Sequence, residues 1–162
     1  MPGKRVFSAM EFLAAIVVVL VLIALLFPRF VDRRIFANEA SAVSAVRAIG
    51  AAQLKYAQLY PSAGFADDLA KLGPPPSGTV PSTAHAGLLD FDVECTTQPC
   101  VKSGYNFAID QTSGTPINKF RTTAVPQRPG ETGFRGFCST EPGTIIITAD
   151  AAGGTACSIP IT

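Results

Sequence analysis

Hydrophobic positions are unevenly placed along the chain. From Phe12 to Pro28 there are 17 residues without a charge, FLAAIVVVLVLIALLFP. As a helix, that run is about 25 Å long at about 1.5 Å per residue. Its flanks, Phe7 to Met10 and Phe30 to Val31, are also mostly apolar. A bilayer core is roughly 30 Å thick and takes about 20 residues. The pattern therefore predicts a membrane-spanning helix over 7–31. The alternative is a cleaved secretory signal, which normally has a shorter apolar region and a prompt A-x-A site. No such site follows here.

Beyond Arg34 the pattern is helical again, from Ile35 to Tyr60. Ala40, Val43, Val46, Gly50, Leu54 and Ala57 recur at spacings of three and four and predict one apolar face. Abundant alanine favours helix, and Pro61 ends it. Pro28 removes one backbone hydrogen bond and predicts a kink. Phe65–Leu72 reads as a short helix with Asp67 and Asp68 in its first turn and Gly73 as its stop. PPPSG at 74–78 is a loop, and Thr83–Leu89 reads as another short helix.

The last third alternates. Tyr105–Asp110, Lys119–Val125, Gly133–Ser139 and Thr144–Thr148 are candidate strands, with turns at SGT (113–115) and TEPG (140–143). The expected fold class is α+β. A long N-terminal helix, membrane-spanning in its first half, packs by its second half on a small antiparallel sheet of three or four strands. The chain divides into an amphipathic continuation of the helix at 32–60, a loop region with short helices at 61–103, and a sheet with a disulfide-closed end at 104–162.

Composition narrows the function. Net charge is +1, from 13 Lys+Arg and 12 Asp+Glu, and charged residues are 15% of the chain. Intrinsic disorder is excluded by low charge and high apolar content. Nucleic-acid binding is not expected, because no general surplus of cations exists to displace counterions. Charge is also segregated. Residues 1–55 hold seven cations and three anions; residues 56–162 hold six cations and nine anions. A single His and the absence of P-loop, G-x-S-x-G or H-E-x-x-H patterns argue against an enzyme. His85 reads as a surface or partly packed residue. Asp67 and Asp68 read as a solvated helix start, and Asp110 and Asp150 lie in no ligand-dense loop. No cofactor and no metal are expected.

Four cysteines, Cys95, Cys100, Cys138 and Cys157, all follow the apolar run. An even number in a small domain suggests disulfides and an oxidising compartment. Lys4 and Arg5 before the run and Arg29, Arg33 and Arg34 after it leave the positive-inside rule undecided, so the cysteines place the C-terminal part outside the cytoplasm. Three connectivities are open; sequence closeness favours Cys95 with Cys100 and Cys138 with Cys157. Reduced thiols and a zinc site are the alternatives.

Glu11 stands at the mouth of the apolar run. An ionisable group in such a segment is costly and usually marks function, although near one end it can reach the interface. Residues 7 and 11 are one helical turn apart. An α-amine on Phe7 would attract the Glu11 carboxylate strongly in low dielectric and offset its desolvation.

The stretch KRVFSAMEF, the apolar run and then Pro28 resembles the N-terminus of type IV pilins and type II secretion pseudopilins. The likeness covers about the first 75 residues. It implies a leader, residues 1–6, removed between Val6 and Phe7 by a prepilin peptidase, and N-methylation of Phe7. It also implies a bacterial inner-membrane single-pass protein that an assembly platform draws into a pilus or pseudopilus, in contact with membrane lipid. Glu11 would take the Phe7 amine of a neighbouring subunit, and Pro28 would shape the helix. Val6, Ala9, Met10 and Leu20 depart from the family's usual residues. If Val6 blocks cleavage, the alternative is a single-pass anchored binding module outside the cytoplasm.

Overall fold

Alanine, leucine and valine dominate the first element of the computed structural model, the helix α1 at Ala9–Leu59. The structure describes residues 9–89, 98–141 and 144–148, with the side chains at 24–32, 141 and 144–148 set aside. Two compact units divide the chain, Met1–Arg34 and Ile35–Thr162, and α1 contributes to both.

The expected membrane-spanning half-helix does not stand. Among the described residues no helix is long and apolar enough to cross a membrane. The fold class as expected, with a spanning first half, is corrected accordingly. So are the attributes of a transmembrane, membrane-resident protein, and the location as a single-pass inner-membrane protein.

In the second unit, α1 buries Ile35, Ala42, Ala45, Val46, Ile49, Ala52 and Tyr56. Glu39 and Gln53 share that face and are also buried. The expected face is right in part: Val46 and Gly50 are buried and Val43 and Ala57 half-buried, whereas Ala40 and Leu54 are exposed. The buried stripe passes through two polar residues, which a hydrophobic count assigns to solvent.

α2 is a single turn, Leu69–Leu72. Asp68 precedes it as N-cap, its Oδ1 accepting from the Ala70 N–H at 2.8 Å. Gly73 follows, donating to the carbonyls of Leu69 and Ala70. Thr83–Leu89 is not a helix. Ser82 and His85 exchange backbone hydrogen bonds at 2.9 and 3.1 Å, and Ala86 and Leu88 donate to the Lys71 and Leu72 carbonyls at 2.8 Å. Those partners hold the segment extended beside α2.

Five antiparallel strands follow in sheet order: β1 (Cys100–Lys102), β2 (Tyr105–Ser113), β3 (Lys119–Pro126), β4 (Gly136–Glu141) and β5 (Thr144–Thr148). β1 was not expected from the sequence; three residues are too few to show an alternation. Registers Phe107↔Ala124 and Ala124↔Phe137 place one side chain from each of three strands on a common face. With Tyr105, Ile109, Phe120 and Cys100, that face joins α1, α2 and Leu89 in a single core. A buried aromatic or aliphatic side chain of this size contributes about 1.5–3 kcal/mol. Gly64 pairs with Ile117 at φ +80°, and a Cβ there would lie 2.0 Å from the Ile117 carbonyl oxygen. Only glycine suits both the sign of φ and that approach.

Candidate assembly surface

The large apolar side chains of the first unit face outward. From Met10 to Ile23 their exposures run from 44% at Ile16 to 81% at Met10, on all sides of the helix. A helix apolar all round is ordinarily a buried one, and a contiguous apolar patch of more than a few hundred Å² marks an interaction surface. Glu11 lies in the first turn of α1 and is exposed. Acidic charge there suits the positive end of the helix dipole. Pro28 lies within α1, about 26 Å from Glu11 along the axis at about 1.5 Å per residue, so the two form no common local site. Val6 and Phe7 lie outside the described residues.

The second unit carries a groove of about 560 Å³ along α1. Its α1 wall presents Ser41, Ser44, Ala48 and Ala51, and Leu88 with Leu89 closes the other side. Ala45, Ala52, Lys55 and Lys102 complete the lining. Ser41 donates from its hydroxyl to Ser103 Oγ at 3.0 Å, which ties the start of this wall to the β1–β2 turn.

A polar clamp fixes α1 to the segment before β4. Glu39, 4% exposed, accepts from the backbone N–H of Phe134 at 2.9 Å and of Arg135 at 3.2 Å. The Arg135 guanidinium adds two further donors to its other oxygen. Asn38 Nδ2 donates to the Thr132 carbonyl at 3.0 Å. Tyr105 donates its hydroxyl to the Arg135 carbonyl at 2.8 Å. Burial and the Glu39 charge hold the Tyr105 phenol well above its ordinary pKa, with Arg135 opposing. A second clamp uses the buried Gln53, which donates to the Ala66 carbonyl at 2.8 Å and accepts from the Ala66 N–H at 2.7 Å.

The carboxylates weighed for chemistry have structural duties. Asp67 pairs with Lys71 at 2.6 Å, Asp68 caps α2, and Asp110 takes two donors from Arg121 at 2.7 Å each. His85 Nδ1 lies 3.2 Å from the Ala70 carbonyl oxygen. Asp150 lies outside the described residues. Cys100 and Cys138 are disulfide-bonded and buried; Cys95 and Cys157 lie outside the described residues. Sequence reasoning missed Glu39, Gln53, Tyr105 and Arg135. The available signal was polar residues spaced on the buried α1 stripe.

Compared with protein families, curated proteins and solved structures, the chain matches none.

Proposed function

We propose that the protein is a structural subunit of a helical filament, of the type IV pilus or type II secretion pseudopilus kind, assembled through the apolar part of α1. The observation that carries this reading is the exposure of the apolar side chains from Phe12 to Ile23 on every side of the helix. Such a surface is stable in water only when covered. Neighbouring copies supply the same surface and cover each other mutually.

Glu11 sets the position of the incoming copy in this reading. A leader cut between Val6 and Phe7 by a prepilin peptidase gives Phe7 a free amine, and methylation preserves its charge. The Glu11 carboxylate takes that amine from a neighbour, where surrounding apolar side chains lower the dielectric and strengthen the attraction. An assembly platform delivers the subunits. The protein performs no catalysis in this role.

The experiment is sedimentation and electron microscopy of filaments from cells carrying Glu11→Leu or Val18→Asp. Both variants are expected to fold and to leave fibres depleted of the subunit. Fibres formed at normal yield by Val18→Asp reject the reading. Sequencing of the mature N-terminus checks the cut: Phe7 is the residue expected first.

A further inference from the structure

We infer that the cleft between α1 and β4 in the second unit binds an acidic peptide of another protein, an extended segment with an apolar side chain between two carboxylates. The inference is independent of the filament reading. The cleft has a volume of about 310 Å³. Phe36, Ala40, Val43 and Arg47 line its α1 side, at spacings of four, three and four that put them on one stripe of the helix. Arg135, just before β4, and Phe137 within it form the facing side. Phe137 is buried and Val43 half-buried, which gives the cleft an apolar floor. Phe36, at one end of the stripe, is 64% exposed. Aromatic side chains beside arginine are the composition of residues that anchor protein partners.

Charge names the occupant. Glu39 also lines the cleft, but its carboxylate is already met by two backbone N–H groups and by Nε and one terminal nitrogen of Arg135. That grip holds the guanidinium in place and leaves its Nη1 without an acceptor among the described residues. The Arg47 guanidinium has no acceptor there either, and Arg47 is exposed. The described lining thus offers a ligand two cationic forks and no uncompensated acid. Carboxylates are the complement, which arginine takes through paired N–H donors. Because Glu39 already orders Arg135, binding loses less side-chain freedom there. The spacing fits an extended chain. Arg47 lies about 12 Å along α1 from Glu39, at about 1.5 Å per residue. Residues i and i+4 of a strand are about 13 Å apart and share a face with i+2. An acid–x–apolar–x–acid segment therefore brings carboxylates to Arg135 and Arg47 and sets its central side chain over Val43 and Phe137. Nucleic acid fits poorly, because two cations release few counterions and phosphates gain nothing from the apolar floor.

The test is fluorescence anisotropy of labelled acetyl-Glu-Ala-Phe-Ala-Glu-amide with the full chain, set against the same peptide carrying lysine in place of both glutamates. Saturable binding is expected for the acidic peptide, and binding at least about tenfold weaker for the lysine peptide, equivalent to about 1.4 kcal/mol. Arg47→Glu is expected to weaken the acidic peptide by a similar factor. Ala40→Trp, which fills the cleft from an exposed position, is expected to abolish its binding. Circular dichroism checks that both variants remain folded, and Arg47→Glu carries the test if Ala40→Trp unfolds. Equal affinity for the two peptides, no saturable binding of the acidic one, or unchanged affinity in Arg47→Glu overturns the inference. If the acidic peptide fails to bind while Arg47→Glu lowers fibre yield, the cleft is a contact between copies and the peptide assignment is overturned, whereas the filament reading survives.

Discussion

Arg135 grips Glu39 through Nε at 2.9 Å and a terminal nitrogen at 2.5 Å, across 96 residues of chain. The acid is buried and the guanidinium is about half exposed. Their attachment is therefore stronger than a surface pair, which contributes about 0–1 kcal/mol. Two backbone N–H groups complete the carboxylate's shell.

Glu39→Ala leaves both of those N–H groups without an acceptor. Stability is expected to fall by about 2–4 kcal/mol, the cost of buried donors left unmade together with the lost charged partner. Glu39→Gln keeps one acceptor oxygen and is expected to lose less. Urea denaturation of the two variants measures the difference, and equal losses would contradict the clamp.

Gly133 lies against Tyr105. A Cβ at Gly133 would stand 1.9 Å from the tyrosine oxygen and 2.6 Å from the carbon bearing it. Gly133→Ala is expected to cost about 1–3 kcal/mol as overpacking. Tyr105→Phe removes the nearest atom, so the double variant is expected to recover part of that loss. A double-mutant cycle on thermal unfolding reads the coupling directly.

Alkali acts through the same tyrosine. Its phenol titrates above the ordinary 10.0 in the folded chain because burial and Glu39 oppose the anion. Burial also raises Tyr56, whose hydroxyl donates to the Thr83 carbonyl at 2.6 Å. Above about pH 10 the unfolded chain sheds these protons while the folded chain keeps them. The unfolded state then binds fewer protons, so stability falls as pH rises. Tyr105→Phe is expected to flatten that decline between pH 9.5 and 11, in a series of denaturation midpoints spaced by about half a pH unit. An unchanged slope would place the cause elsewhere.

Gln53 replaces a strand partner for Ala66, meeting both its N–H and its carbonyl. Gln53→Leu preserves volume and strands both groups in a fully buried place. A loss of about 2–4 kcal/mol is expected from two unmade bonds. Amide hydrogen exchange at Ala66 should quicken in step with it.

Thr122 is the opposite case. Its Oγ1 is buried and has no hydrogen-bond partner among the described residues. Thr122→Val keeps the shape and removes an unsatisfied hydroxyl, so stability is expected to rise by about 1 kcal/mol. A fall in melting temperature would show that the hydroxyl is satisfied after all.

Periodicity located much of the sheet and misplaced much else. Thr144–Thr148 and Lys119–Pro126 are strands where alternation and turn residues put them, within a residue at the ends. The misread positions on the α1 face have a specific cause. Hydrophobic spacing reads Glu39 and Gln53 as solvent-facing, whereas each is drawn inward by backbone groups 95 and 13 residues away. Tertiary partners of that kind leave no local mark. The Phe12–Pro28 run was legible as exceptional, but the inference from apolar length to a bilayer failed, because composition says that a surface must be covered and not by what. The Val6–Phe7 cut and the Pro142–Gly143 turn fall outside the described residues.

Each strand of the sheet pairs with its sequence neighbour, so the meander can grow as the chain is synthesised, with short loops to close at each step. Glu39 is different: its acceptor role waits for residues made almost a hundred positions later. Until Phe134 and Arg135 emerge, nascent α1 carries a hydrated acid on the side destined for the interior. Burial of that turn of the helix thus waits until β3 has been made, an order of events that a permuted chain beginning at β1 would reverse.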